Sequence, residues 1–327
     1  MRALKALVAL ILLLIVAGGV LWITAPRETW PTAVAAPEPG ADLDAWLAAR
    51  ESVFDDLTPG TEKTVVWAGE PGQRTPVALV YLHGFSATRQ EINPVAERIA
   101  QGIGANLFET RLAGHGRPGA ALGAVTLADF ATDLAEAMAV ARRLGDQVVL
   151  VGTSTGGSLA TIAAFDPAWR DQIAGLILLS PNYGVRDSRA DFLDLPYARW
   201  WLPMALGETY GWQPRNAEHA RYWTSSYPTT ALFAMRGLQT TAAAQNFAAA
   251  TVPALVFYAT GDQVVDSTRT EAMLAAWGAP VEAHVVTGAE DPAQHVITGR
   301  ILSPSTVDGI VATSLDWLRA QGLAPNP

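Results

Sequence analysis

The sequence predicts an α/β fold: a mostly parallel central sheet flanked by helices, with an inserted helical cap and an N-terminal transmembrane helix. Three observations lead there. Short β-branched runs alternate with longer segments of helical periodicity along most of the chain. One long interval, Tyr183 to Ala250, breaks that alternation. An apolar run opens the chain and carries no charge from Ala6 to Ala25.

The opening run, ALVALILLLIVAGGVLWIT, is long enough to cross a bilayer core, which needs about 20 apolar residues in a helix. Arg2 and Lys5 precede it, and Trp22 and Trp30 stand where interfacial aromatics would anchor its far end. The positive-inside bias then leaves the N-terminus in the cytoplasm and the remaining chain outside it, periplasmic or extracellular. The alternative is a signal sequence cleaved near Ala33-Val34-Ala35, which would release the domain. That triplet stands far beyond the apolar run, and the run is long for a signal core. The absence of a polar face disfavours a buried soluble helix. Residues 1–25 are thus read as a membrane anchor or signal sequence. Residues 26–40 (PRETWPTAVAAPEPG) read as a linker, and residues 41–327 as one domain.

The domain opens with ADLDAWLAARESVFDDL, where Leu43, Trp46, Leu47, Val53 and Phe54 fall close to helical spacing. Strand-like runs follow at Thr64–Trp67, Val77–Leu82, Asn106–Thr110, Gln147–Val151, Gly175–Leu179, Ala254–Tyr258 and Val281–Val286. Between them, Leu127–Leu144 sets Phe130, Leu134, Met138 and Ala141 on one helical face. The interval from Tyr183 to Ala250 holds no strand-like run, yet contains Trp200, Trp201, Trp212 and Trp223. It is too long for a simple connection and reads as a helical cap inserted at about 185–250. Its aromatics are expected to be, first of all, the cap's own core.

Composition removes several classes of function. With 327 residues, half of them hydrophobic, the chain suits one large domain or a domain with an insertion. It has no cysteine, which rules out disulfides, thiolate metal sites and a cysteine nucleophile. The net charge of −9 argues against nucleic acid as a partner and against broad attraction to anionic head groups.

The strongest local signal is Gly152-Thr153-Ser154-Thr155-Gly156, set between the buried strand Gln147–Val151 and a helix of small residues, Ser158–Ala164. A sharp strand-to-helix turn can hold a serine in strained backbone angles with its hydroxyl at the top of a sheet. Gly152 and Gly156 are needed because side chains there would collide with the neighbouring strand or helix. The helix N-terminus beside the serine favours a developing oxyanion. Ser154 is the candidate nucleophile.

A serine hydroxyl needs a base to take its proton. Of the five histidines, His295 is the candidate, in a late loop that reaches the carboxyl end of the sheet. His284 alternates within the last strand, and His219 lies in the cap. Asp262 ends the segment after Ala254–Tyr258 and is the candidate acid, with Asp266 as competitor. Glu290 and Asp291 are expected to be solvated loop charges. The chain order Ser154, Asp262, His295 is that of α/β-hydrolases.

With these residues in place, the sequence resembles the α/β-hydrolases, close to the bacterial carboxylesterase and monoacylglycerol-lipase-like group. His83-Gly84-Phe85, Leu112-Ala-Gly-His-Gly116, Gly152–Gly156, Gly261-Asp262 and His295 stand in that family's order, within about residues 62 to 322. The resemblance implies an oxyanion hole built from the backbone N–H groups of Phe85 and Thr155. It also implies that His83 and His115 hold loops rather than react. Thr153 and Thr155 replace the histidine and bulky apolar residue of the common family pattern, so no particular relative's substrate transfers.

The expected chemistry is cleavage of a carboxylic ester, from a small molecule or a lipid, through an acyl-enzyme on Ser154, with no metal and no organic cofactor. Thioesterase or aminopeptidase chemistry on the same residues is the alternative. A non-catalytic binding module on this fold is another.

Overall fold

The computed structural model describes residues 1–324. Its strands in chain order are β1 (Thr64–Val66), β2 (Thr75–Leu82), β3 (Asn106–Glu109), β4 (Gly145–Thr153), β5 (Ile173–Leu179), β6 (Thr209–Gly211), β7 (Ser226–Pro228), β8 (Ala254–Tyr258) and β9 (Val281–Val285). The helices are α1 (Arg2–Thr24), α2 (Leu43–Glu51), α3 (Val95–Ile103), α4 (Gly119–Gly123), α5 (Leu127–Leu144), α6 (Thr155–Phe165), α7 (Ala198–Leu206), α8 (Ala217–Tyr222), α9 (Ala231–Ala243), α10 (Ser267–Ala276) and α11 (Val307–Ala320).

Seven strands form one sheet in the order β1-β3-β2-β4-β5-β8-β9, parallel throughout except for β1 against β3. Every strand-like run of the sequence forms a strand of this sheet. The period of two along a strand divides the core. Ala78, Val80 and Leu82 join Phe130, Leu134, Leu159, Leu238 and Met273 on the face covered by α5, α6, α9 and α10. Val77, Leu79 and Tyr81 join Val95, Ile99, Ile310 and Trp317 on the face covered by α3 and α11. Each Val, Leu, Ile, Phe or Met among them, taken fully out of water, contributes about 1.5–3 kcal/mol, so both faces must be covered.

The chain winds from β2 outward to β3, then returns past β2 to β4 and continues the other way. Open sheets bind ligands at such a reversal, beyond the carboxyl ends of the strands. The segments leaving β2 and β4 there are Leu82–Phe85 and Thr153–Thr155.

Helix α5 matches its expected range, and a capping box fixes its start: Thr126 and Asp129 each accept from the other's backbone. Helix α2 is shorter than its pattern, ending at Glu51, so Val53 is exposed and Phe54 stacks under Arg111 and Arg117. Two further differences concern the segments outside the sheet. Residues 26–40 have no regular secondary structure but are not free of the domain: Trp30 and Val34 pack against its core. Within 185–250 the structure adds a small antiparallel pair, β6 with β7, too short to leave a sequence signal. Helix α9, also in that range, packs on α5 and α6 in the layer covering the sheet.

Helix α1 is long and apolar enough to cross a membrane, and none of its residues is buried against protein.

Candidate active site

At the turn after β4, a Cβ on Gly156 would stand 1.9 Å from the Leu82 carbonyl oxygen, and one on Gly152 would stand 2.6 Å from that of Gly156. Only hydrogen fits at either place. Between them Ser154 adopts φ 51°, ψ −115°, a strained pair for a residue with a side chain. Its surroundings hold it there. The Ser154 N–H donates to the Leu179 carbonyl at 2.9 Å, and its own carbonyl accepts from Asn182 at 3.1 Å and Ser158 at 3.2 Å. Ser154 is also the N-cap residue of α6, whose first turn leaves N–H groups without helical partners. Among the described residues its hydroxyl makes no hydrogen bond.

The loop after β2 is tied down on both sides of Phe85. The Gly84 N–H donates to the buried Glu91 carboxylate at 2.7 Å, and the Ser86 N–H donates to His115 Nε2 at 2.9 Å. The Phe85 N–H stands between them with no acceptor of its own among the described residues. His83 and His115 act as a pair, their rings 4.9 Å apart and edge to face. Each donates through Nδ1 to a backbone carbonyl, of Gly84 and Ala113 respectively. His83 Nε2 accepts from the Leu112 N–H at 3.0 Å, so the two rings fasten the loop after β2 to the loop after β3. Both must be neutral to accept in this way. Burial agrees, pushing the His83 pKa well down and that of His115 to about 4.

On the far side of the sheet edge, Asp262 is buried just after β8. Its Oδ1 accepts from the N–H groups of Val264 at 2.7 Å and Val265 at 2.9 Å. Its Oδ2 faces His295 Nδ1 at 2.8 Å. Asp266, the competing acid, instead caps α10 through the Thr268 N–H at 3.1 Å and the Thr268 hydroxyl at 2.7 Å. Burial disfavours the His295 imidazolium, but the Asp262 carboxylate outweighs it and raises the pKa, with Glu91 and Asp291 adding to the rise.

Two residues here are not among the site candidates expected from the sequence. Asp291, expected to be a solvated charge, is buried. It accepts from Ala293, His295 and Val296 N–H groups at 3.0–3.1 Å and so shapes the loop that carries His295. An aspartate accepting from backbone two to five residues ahead is an Asx-type turn, the one clue the sequence offered. Glu91 joins the Gly84 N–H to the Tyr81 hydroxyl, which lies 3.0 Å from it. No periodicity marks that carboxylate. His284 pairs with Glu282 at the surface, away from the site. His219 is packed between Trp212 and Trp223, and burial lowers its pKa to about 4. Trp223 in turn packs with Ala87 and Val296, which joins the cap to the loops of Phe85 and His295. No cluster of groups able to hold a metal occurs among the described residues.

Comparison with known proteins agrees with this architecture. Residues 73–290, about two thirds of the chain, match the family described as serine aminopeptidase, S33. The match runs from just before β2 through β9, and His295 lies just beyond it. No curated protein matches the chain. Among solved structures, it is similar to one of the metagenome-derived lipolytic enzymes LipS and LipT, at 20% identity and TM-score 0.66, covering 81% of this chain and 99% of that one. It is also similar to a soluble variant of monoglyceride lipase from Saccharomyces cerevisiae, solved with a substrate analog (12% identity, TM-score 0.58, covering 92% and 100%). The monoacylglycerol lipase of Paleococcus ferrophilus matches at 14% identity and TM-score 0.57, covering 79% and 98%. At these identities the likeness concerns the fold. The chain belongs to the S33 serine aminopeptidase family of α/β-hydrolases.

Proposed function

We propose that this chain is a serine hydrolase that cleaves carboxylic esters through an acyl-enzyme on Ser154, with its catalytic domain (residues 41–327) held outside the cytoplasm by α1. The observation that carries the reading is the buried 2.8 Å contact of His295 Nδ1 with Asp262 Oδ2, at the same sheet edge as the strained Ser154.

That contact commits the imidazole. With Nδ1–H directed at Asp262, Nε2 is the nitrogen left to accept a proton. Ser154 Oγ attacks the ester carbonyl while Nε2 takes its proton, and Asp262 supports the imidazolium that forms. The N–H groups of Phe85 and Thr155 receive the oxyanion, Thr155 at the first position of α6 and Phe85 between two amides already engaged elsewhere. His295 then protonates the leaving alcohol, and water repeats the sequence to release the acid. No step calls on a metal or an organic cofactor.

The structural neighbours named as lipolytic enzymes and monoglyceride lipases, together with α1, support a lipid-like ester as substrate. The family's name keeps amide chemistry in view as the second reading. Ser154→Ala should abolish hydrolysis of p-nitrophenyl butyrate and labelling by a fluorophosphonate while the protein stays folded. Retained turnover would sink the assignment of Ser154. Faster cleavage of aminoacyl p-nitroanilides than of any ester in an acyl-length series would replace ester by peptide chemistry.

A further inference from the structure

We infer that the carboxyl edge of the sheet faces the bilayer and that α7 lies in its interfacial layer, making the lipid surface around α1 a docking partner of the cap. This rests on reading α1 as a membrane anchor.

The first ground is where α1 leaves the domain. Thr24, its last residue, has its hydroxyl 2.8 Å from that of Tyr197, the residue just before α7. Four residues on, Glu28 forms an ion pair with Arg199 of α7 and accepts from the Leu127 N–H at 3.3 Å. Leu127 is the first residue of α5, which carries the chain from β3 back to the parallel strand β4. The start of α5 therefore stands at the carboxyl edge of the sheet, the edge that bears Ser154.

The second ground is that the connection has no slack. Beyond Glu28, Trp30 and Val34 pack on the core. At the opposite end of α5, about 27 Å away for a helix of its length, Arg143 donates to the carbonyls of Pro39 at 3.2 Å and Gly40 at 3.3 Å. The segment expected to be a linker is a strap laid along α5. It keeps the cap within a few ångströms of the point where α1 ends.

The third ground is α7 itself, whose sequence ARWWLPMAL is apolar almost all round. Ala198 and Leu202 face down onto Phe233 of α9. The other side is uncovered: Trp200 is 65% exposed, Met204 79% and Leu206 54%. Phe192 and Leu195, just ahead of α7, are exposed as well. A helix apolar on both sides needs a second apolar phase. The one the strap brings within reach is the bilayer holding α1. Residue types agree with that level. Arg27 stacks over Trp22 at 4.9 Å, and the Tyr197 and Trp200 rings lie 5.0 Å apart, a belt of the amphipathic aromatics favoured at membrane interfaces. The nearby charges are paired among themselves, Arg189 with Asp187 and Arg236 with Asp194, so apolar contact rather than lipid charge sets the association.

The absence of cysteine allows a direct test, because one introduced thiol is then unique. Full-length protein carrying Met204→Cys is spin-labelled and reconstituted into phosphatidylcholine vesicles, and collision rates with oxygen and with a water-soluble nickel chelate are compared. Leu13→Cys, within α1, marks the bilayer interior. Asp146→Cys, at the opposite edge of the sheet, marks water. The Met204 label should be several-fold less accessible to nickel than the Asp146 label and more accessible than the Leu13 label. A Met204 label as wet as that at Asp146, with Leu13 still deep, would overturn the inference and leave the anchor standing. A wet Leu13 label would overturn the anchor reading itself, and this inference with it. Glu28→Ala should raise nickel accessibility at Met204 without changing it at Leu13, whereas an unmoved Met204 label would remove the strap from the account.

Discussion

Asp262→Asn separates the orienting role proposed for Asp262 from its structural one. In the native site Oδ1 accepts two backbone N–H groups, from Val264 and Val265, and Oδ2 faces His295 Nδ1. The asparagine amide must keep its oxygen toward the two N–H groups, since its NH2 there would point donors at donors. The NH2 then faces Nδ1, which has to become the acceptor, and the ring proton moves to Nε2. Nε2–H cannot take a proton from Ser154. A wrong tautomer of this kind costs roughly 10^4 in kcat, or about 5.5 kcal/mol of transition-state stabilisation. The assay is steady-state hydrolysis of p-nitrophenyl butyrate, with circular dichroism and thermal melting as controls. Because both backbone bonds survive, the fold and Tm should change little. A folded variant with kcat within tenfold of the native enzyme would refute the tautomer argument and the assignment of Asp262.

The remaining predictions concern pH and buried charge. The base must be neutral to act, and the His295 pKa is raised above 6.5, so kcat/KM should fall as pH drops through that raised value. An acid limb below 6.5 would count against His295. The sign for stability is opposite: the Asp262–imidazolium pairing contributes fully below the unfolded value and is lost as pH rises through the folded one. This contribution to Tm should therefore shrink over the window in which activity grows. In the loop after β3, Arg111 holds Glu51 through Nε at 2.6 Å and Nη2 at 2.7 Å, with both side chains buried, and also donates to the His115 carbonyl at 3.2 Å. Burial works to raise the Glu51 pKa, but the Arg111 contacts prevail and keep it low. Glu51→Ala leaves that guanidinium buried without its carboxylate and should cost about 3–5 kcal/mol in urea denaturation. A loss under about 1 kcal/mol would mean that water reaches Arg111 and replaces the partner.

What the sequence made legible was local. The strands of the sheet declare themselves by short β-branched runs, and α5 by its apolar stripe and capping box. The turn at Ser154 is legible because its strain is local: glycine is required at 152 and 156, and the strand and helix on either side are adjacent in the chain. Asp262 and Asp266 were harder to rank, being four residues apart in one loop. In space they diverge, one accepting from its own turn and facing His295, the other capping α10.

The interval 185–250 shows the reverse. Its aromatics pointed to a cap, but neither the β6–β7 pair nor the place of α9 against α5 and α6 leaves a periodic trace. Prolines and alanines from 26 to 40 read as a linker, since a strap without secondary structure has the composition of a tether. Its docking depends on single partners such as Leu127, Arg143 and Arg199, which lie about a hundred residues or more away.

By itself the sequence determined the class of fold, the apolar helix ahead of it and the identity of the candidate nucleophile. Each is written in short-range patterns of period two, period 3.6 or obligatory glycine. Only the tertiary structure decided which aspartate meets His295, which amide after β2 has no acceptor among the described residues, and on which edge the apolar helix departs. Those depend on a few long-range contacts between residues that carry no pattern of their own. The physical reason is that backbone geometry repeats along the chain, whereas the meeting of two particular side chains is set by packing the whole domain.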